Sequence, residues 1–340
     1  MTIREARRSA IGLLESPALS KQISPTSALD ADCILCNILH TNRSSLLAHD
    51  EQNLSPSQYK AFCKAVEKRQ TGLPVAYIVG HKEFFGFDFI VTQDVLIPKS
   101  DTELLVELAL AEIKKRVCVL KESANGGTGK CTGTTQAHGG KPQLYIADVC
   151  TGSGCVILSI IKTLENRFTE KAASADFFEN VQPRADLVCH ASDISEKALR
   201  VARKNAARLL DGSAIEKPRF FCADLLGFGS PSGRVSENRY DIIVSNPPYV
   251  PSKTAAELLE DGRSEPLSAL DGGKDGLDII RRLVPQAFTA LKKGGVFLVE
   301  TGEYNAGETR SLMTKSGFID IVTYNDLGGL PRVTRGIKAE

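Results

Sequence analysis

Asn246-Pro247-Pro248-Tyr249 follows directly on the apolar run Tyr240–Ser245. The run reads as a strand buried on both faces, and Pro247, which has no N–H to donate, must end its ladder. Each X-Pro bond also holds the residue before it in extended geometry. The product is a stiff tip at the C-terminal end of a strand, where open α/β sheets bind ligands. An Asn side-chain carbonyl and a neighbouring backbone carbonyl can together accept both hydrogens of one –NH2 group. An aromatic ring beside them can stack on the planar group that carries the nitrogen. Asn246, Pro247 and Tyr249 are therefore the candidate catalytic residues, and Asn246, Pro247, Pro248 and Tyr249 the candidate substrate site.

A second constellation precedes it. Asp148-Val149-Cys150-Thr151-Gly152-Ser153-Gly154 follows an apolar strand. Glycines there let a ligand approach the backbone and let the chain turn sharply into a helix. The spacing is not the dinucleotide fingerprint; it suits a nucleoside with a small zwitterionic tail better than a pyrophosphate. Asp193 closes the next strand, where a carboxylate can accept both hydroxyls of a ribose diol. Asp224 follows the third, where it could accept from an adenine amino group. Each Asp alone is more often a helix cap. Three at successive strand ends, with Asn246 at the fourth, form a candidate cofactor site.

These residues need a scaffold, and the pattern supplies one. From Leu144 onward, strands and helices alternate: strands at Leu144–Val149, Asp186–Ser192, Arg219–Cys222, Asp241–Ser245, Val296–Glu300 and Ile319–Tyr324, with helices starting at Val156, Glu196, Leu277 and Gly307. That alternation predicts a doubly wound, mostly parallel α/β sheet. Residues 1–72 read as a small helical bundle. Ile3, Ala6, Ala10, Leu13 and Leu14 follow a helical stripe, and Ser55-Pro56 is an N-cap with proline at the first helical position. Aromatic and β-branched residues over 75–97 predict a hairpin around Gly86, within a linker spanning 73–98. A helix follows, capped by Ser100 or Asp101, with Leu104, Leu105 and Leu108 inward. Residues 122–142 are rich in Gly, Thr and Ser without periodicity and read as an insertion; a second is expected around Asn180–Pro183. Residues 99–340 form the sheet domain.

Composition narrows the function classes. Net charge is +1 over 340 residues, with 42% hydrophobic and 24% charged side chains, so no global electrostatic case exists for a nucleic-acid backbone or an anionic membrane. No apolar run approaches the roughly 20 residues of a membrane helix. The N-terminus shows charge but no signal-peptide core. Nine cysteines, odd in number and scattered, read as reduced thiols in the cytoplasm. Cys33 and Cys36 form a C-x-x-C without a second pair at zinc spacing, so buried helix cysteines are expected and no metal site.

Asp-x-x-Thr-Gly-Ser-Gly, the later Asp193 and Asp224, and Asn-Pro-Pro-Tyr are similar to class I S-adenosylmethionine-dependent methyltransferases acting on amide or amino nitrogens. Pro74–Gly80, Phe84-Phe-Gly86, Leu96–Val106, Glu265–Leu270 and Gly328–Thr334 resemble the HemK/PrmC family, the release-factor glutamine N5-methyltransferases. The resemblance covers nearly the whole chain. It implies a seven-stranded Rossmann-like sheet, S-adenosyl-L-methionine as cofactor, and peptide chain release factors as protein substrates of a monomeric enzyme. It implies that Cys150–Gly154, Asp193, Leu225 and Asn246 line the cofactor and that Asn246–Tyr249 hold the substrate glutamine. Cys150 replaces the glycine common at that loop's start, and Lys99-Ser100 stands where Arg-Pro is usual. The alternative is an adenine-N6 methyltransferase on DNA or RNA, which shares a related tip but needs a basic groove. The acidic character of Val250–Gly276 argues against it. The intact tip argues against a non-catalytic adaptor.

Overall fold

Thr2 caps the first helix, α1 (Ile3–Glu15), in a reciprocal capping box with Glu5. Helices α2 (Ser27–Leu39), α3 (Arg43–Ala48) and α4 (Pro56–Gln70) complete the N-terminal bundle, α4 starting from the Ser55 cap as expected. Ile3, Ala6, Ala10 and Leu14 pack against Ile34, Leu35, Phe62 and Val66. Leu13 departs from the expected stripe and is 36% exposed. It sits about 100° around the helix from Leu14, which takes the inward position. Cys33 is also exposed rather than buried, because Ile34 and Leu35 face the bundle core. Asp32, buried, is held by Arg7 and Arg43.

The structure, a computed structural model, describes residues 1–16, 26–124, 137–138, 141–169, 186–213, 215–228, 234–260 and 264–339. The joint is shorter in β than expected. Helix α5 (Val75–Val79) comes first, preceded by Pro74 and closed by Gly80 in the left-handed region at φ 84°. Val75 and Ile78 pack on the bundle, so the segment read as a strand serves as a one-turn helix. The hairpin is confined to β1 (His81–Phe84) and β2 (Phe87–Ile90). Its turn residues, Phe85 and Gly86, both have positive φ, as the type I′ hairpin turn requires. Phe84 and Phe89 enter the main core. Ser100 and Asp101, expected to cap a helix, belong to a 3-10 turn at Ser100–Thr102 that leads into α6 (Glu103–Ala124).

The remaining elements are β3 (Ala137–His138), β4 (Lys141–Val149), α7 (Cys155–Thr169), β5 (Asp186–Asp193), α8 (Glu196–Leu209), β6 (Arg219–Cys222), β7 (Tyr240–Ser245), α9 (Ser252–Glu260), a 3-10 turn at Leu267–Ala269, α10 (Asp278–Ala290), β8 (Leu291–Glu300), α11 (Ala306–Lys315), β9 (Phe318–Asn325) and β10 (Pro331–Lys338). Of the expected insertion over 122–142, residues 122–124 close α6, and β3 pairs antiparallel with the start of β4. Residues 125–136 and 139–140 lie outside the described residues, as does the stretch around Asn180–Pro183.

The sheet order is β6-β5-β4-β7-β8-β10-β9, seven strands with β3 beside β4 off that path. The first five are parallel; β10 runs antiparallel between β8 and β9. Val149 of β4 lies opposite Ser192 of β5 and Ser245 of β7, and Ser245 lies opposite Val299 of β8. The strands alternate between two cores. Ile146, Val244 and Leu298 face α6 and α7 residues such as Leu105, Ile157 and Ile161. Ala147, Ile243 and Phe297 face α10 residues Ile280, Leu283 and Val284. This is the expected doubly wound α/β architecture, with one strand, β10, that the pattern did not reveal.

Candidate active site

The C-terminal ends of β4, β5 and β7 and the chain beyond β6 converge on one cavity. Asp148, Cys150, Thr151, Gly152, Ser153, Asp193, Asp224, Leu225, Asn246 and Pro248 line it. Gly154, Pro247 and Tyr249 do not. Gly154 serves the packing instead. At φ 81° a Cβ there would meet Leu158 Cδ1 at 3.0 Å and Ala202 Cβ at 3.3 Å, so its missing side chain lets the loop seat on α7 and α8. Gly152, at φ 55° with nothing within 4 Å of a would-be Cβ, opens the backbone to the cavity.

The acidic groups are tied into the loop. Thr151 Oγ1 donates to Asp148 at 2.6 Å. Burial pushes the Asp148 carboxyl up to about 7. Asp193 accepts the Gly152 N–H at 2.9 Å on one oxygen and the Ser195 N–H at 2.9 Å on the other. It is therefore both a helix-start acceptor and a cavity carboxylate; each oxygen keeps a further lone pair for a ligand hydroxyl. Its pKa is raised by burial. Asp224 is half-exposed and ion-paired with Arg282 of α10, a cavity-lining cation that the sequence pattern did not single out.

Cys150 sits in the left-handed region at φ 61°. That explains why glycine suits this position: a side chain there carries steric strain. Lys99, the other departure, keeps an ionic role. Its Nζ lies 2.9 Å from Glu265 Oε1, which also accepts the Ile97 N–H at 3.3 Å. Two segments far apart in sequence, around Leu96–Val106 and Glu265–Leu270, thus meet at the cavity wall.

Asn246 Nδ2 donates to Thr102 Oγ1 at 3.1 Å, which leaves Oδ1 as the acceptor of that side chain. Tyr249, half-buried against the α10-side core, donates its hydroxyl to Glu300 Oε1 at 3.1 Å. Burial raises the Tyr249 phenol well above its ordinary value and pushes the Glu300 carboxyl up to about 7. The backbone of the tip is clamped from below. The Val250 N–H donates to Leu270 O at 2.9 Å, and the Gly272 N–H donates to Val250 O at 2.8 Å. Asn305 Nδ2 donates to Gly276 O at 3.1 Å and reaches Tyr249 O at 3.5 Å. Thr102 and Glu300 were not singled out from sequence. Glu300 carried a usable signal, since it ends the strand after Asn246 as Asp193 ends its own.

Asn205 of α8, fully buried, ties the joint to the loop. It accepts the Ile90 N–H at 2.7 Å and donates to Ile90 O and Ser153 O at 3.0 and 2.9 Å. Among the described residues no cluster of His, Cys, Asp or Glu could hold a metal ion.

Residues 16–80 match the family model described as the PrmC N-terminal domain. The chain is 33% identical over 339 residues to a release factor glutamine methyltransferase from Koribacter versatilis, covering 99% of each. It is 33% identical over 323 residues to that of Moorella thermoacetica, covering 93% of this chain and 91% of the relative. To that of Coxiella burnetii it is 32% identical over 311 residues, covering 92% of each.

Proposed function

The chain belongs to the release factor glutamine methyltransferases, and from that premise we propose how its own residues carry the reaction. The reaction is transfer of a methyl group from S-adenosyl-L-methionine to the side-chain amide nitrogen (N5) of the glutamine in the Gly-Gly-Gln motif of peptide chain release factors. The adenine-N6 alternative has no support among these relatives.

The cavity's donor set fits the cofactor. Asp193 and Asp224 are acceptors for a ribose diol and an adenine amino group, and Gly152 leaves its backbone open to a ligand. Cys150, Thr151, Ser153, Leu225 and Asp148 complete the wall. When bound, the cofactor supplies an electrophilic methyl group on a sulfonium.

The chain must make a poor nucleophile attack. An amide nitrogen's lone pair is delocalised, so positioning must contribute much of the barrier reduction; well-oriented reactants can gain several kcal/mol this way. Asn246 Oδ1 and the Pro247 carbonyl accept the two hydrogens of the glutamine –NH2 and fix its nitrogen. They also stabilise positive charge as it develops there. Pro248 walls the cavity beside them, and the Tyr249 ring supports the amide plane while its hydroxyl stays tied to Glu300. No general base is needed early, because an N-methylated amide cation is strongly acidic and gives its proton to solvent.

One observation carries this reading. Asn246 lines the same cavity as Asp193 and Asp224, and its Nδ2 is committed to Thr102. The test is methyl transfer from labelled cofactor to an intact release factor, to a variant with its glutamine substituted, and to DNA. Label on the first alone is expected; label on DNA, or on the substituted factor, refutes the assignment. In this reading residues 1–72 dock the protein substrate, 73–98 link, and 99–340 catalyse, in a cytoplasmic monomer that needs neither nucleic acid nor membrane. No helix among the described residues is long and apolar enough to cross a membrane.

A further inference from the structure

One end of the Asn-Pro-Pro-Tyr tip meets the Glu300 carboxyl, and the other meets Thr102, a buried neighbour of that carboxyl. Tyr249 donates to Glu300 Oε1. At the other end Asn246 donates to Thr102 Oγ1. The Thr102 hydroxyl is itself one of the two hydroxyls that hold the Glu300 carboxyl down against its burial. Glu300 Oε2 is buried with no partner in hydrogen-bonding geometry. Thr102 and Glu300 are both almost wholly buried.

An asparagine amide is nearly symmetric in shape. Its two orientations are told apart only by the hydrogen bonds around it. A threonine hydroxyl does not decide between them, since it can accept from Nδ2 or donate to Oδ1. The decision falls to whatever takes the hydroxyl proton. A carboxylate only accepts. Beside an ionised Glu300 the Thr102 proton goes to Oε2, Thr102 becomes an acceptor toward Asn246, and Nδ2 must face it. Oδ1 then faces the cavity, as the substrate –NH2 requires. Beside a protonated Glu300 the chain of donors can reverse. Thr102 would donate to Oδ1, and Nδ2 would confront the substrate's own donors.

We propose that Glu300, acting through Thr102, is a positioning residue that fixes the orientation of the Asn246 amide and so decides whether the site accepts a glutamine –NH2. The inference rests on the reading of Asn246 as the substrate's acceptor. The groups facing Glu300 are Tyr249 from the tip, Thr102 and Asp101 from the 3-10 turn, Cys155 at the start of α7, and Arg332 from β10. Asp326 and Asp101 pair with Arg332 at 2.8 and 3.3 Å, so its charge is shared among three carboxyls.

The sign of the pH effect follows. The ionised form is the competent one, and burial sets the carboxyl near 7, so kcat should rise with pH through about 7 and fall below it. The experiment measures kcat, KM for an intact release factor and cofactor Kd from pH 6 to 8. The variants are Glu300→Gln, Thr102→Val, Thr102→Ser and Asn246→Ala, each checked for folding by thermal melting. A carboxylate accepts on both oxygens and a carboxamide on one, so the side chain of Glu300→Gln cannot accept from both Tyr249 and Thr102.

The expected result for Glu300→Gln is a kcat lowered by up to about 100-fold, the scale of a small misplacement. KM and cofactor Kd should change little, and the acid limb should vanish. Thr102→Val should behave alike, while Thr102→Ser keeps most activity. An acid limb that survives in Glu300→Gln, or wild-type kcat in Thr102→Val, overturns the proposal. If that happens while Asn246→Ala is inactive, the acceptor reading stands and only the orienting device is lost. If Asn246→Ala is itself active, the acceptor reading has failed and the proposal with it.

Discussion

Gly276 holds the Asn-Pro-Pro-Tyr tip by having no side chain. A Cβ there would fall 2.2 Å from Tyr249 O and 2.8 Å from Asn305 Nδ2. Its φ of 76° adds a second difficulty for alanine. Left-handed backbone costs an L-residue about 1–2 kcal/mol. Disturbing the Asn305 bonds adds about 0.5–1.5 kcal/mol each. Gly276→Ala should therefore lose roughly 2–5 kcal/mol, which in a chain of this size lowers Tm by about 3–7 °C. To restore ordinary contact the Tyr249 carbonyl must retreat by about 1 Å, and a shift of that size can cost about 100-fold in rate. The assay pairs thermal melting with steady-state methylation of an intact release factor and cofactor titration. Both Tm and kcat should fall, with cofactor affinity largely kept. The control is Gly307→Ala in α11, where a Cβ meets nothing within 4 Å and a helical glycine gives way to alanine. That variant should gain up to about 1 kcal/mol. A Gly276→Ala enzyme with wild-type kcat and Tm would show that the tip is not held by close approach.

Asn246→Ala should lower kcat by about 10²–10³-fold, the loss typical of one preorganised polar contact, with most cofactor affinity retained by titration. Asp193→Ala removes the acceptor of the Gly152 and Ser195 N–H groups; calorimetry should find cofactor binding weaker by about 1.5–3 kcal/mol, more than any fall in turnover at saturation. Cys150→Gly relieves a left-handed side chain, so its melting temperature should equal or exceed wild type, whereas the β-branched Cys150→Val should melt lower; the reverse order would refute the strain argument. A chain starting near Leu73 should bind cofactor, lose most activity on an intact release factor, and keep comparatively more on a Gly-Gly-Gln peptide. Equal loss on both would make the bundle a stability element.

The cavity residues at the strand ends were legible because they are local. Asp148 to Gly152, Asp193 and Asn246 each follow a recognisable strand, and strand ends are where such sheets bind. The supports were not legible, because they are distant pairs. Thr102 meets Asn246 across 144 positions and Tyr249 meets Glu300 across 51. The strand β10 hid behind Pro331 and its charged residues Arg332, Arg335 and Lys338, which suit a strand late in the sheet better than any alternating pattern. Val75–Val79 misled in the other direction. Its β-branched composition favours strand, but docking Val75 and Ile78 on the bundle decides for a helical turn.

The register of the parallel strands turns the sheet into a ruler. Val149 is level with Ser192 and Ser245, and Ser245 with Val299. One residue further on, Asp193, Cys150, Asn246 and Glu300 stand in a single row across β5, β4, β7 and β8. Neighbouring strands lie about 4.8 Å apart, so the row spans roughly 14 Å, graduated in backbone hydrogen bonds. The span between Asp193 and Asn246, the proposed holders of ribose and amide, is thus a count of strands. Loop length does not enter it. The N-terminal ends of β4 and β5 lie at the edge of the sheet away from the row. Residues added before those ends leave every graduation in place, whereas a one-residue slip in β7 would carry Asn246 off the scale.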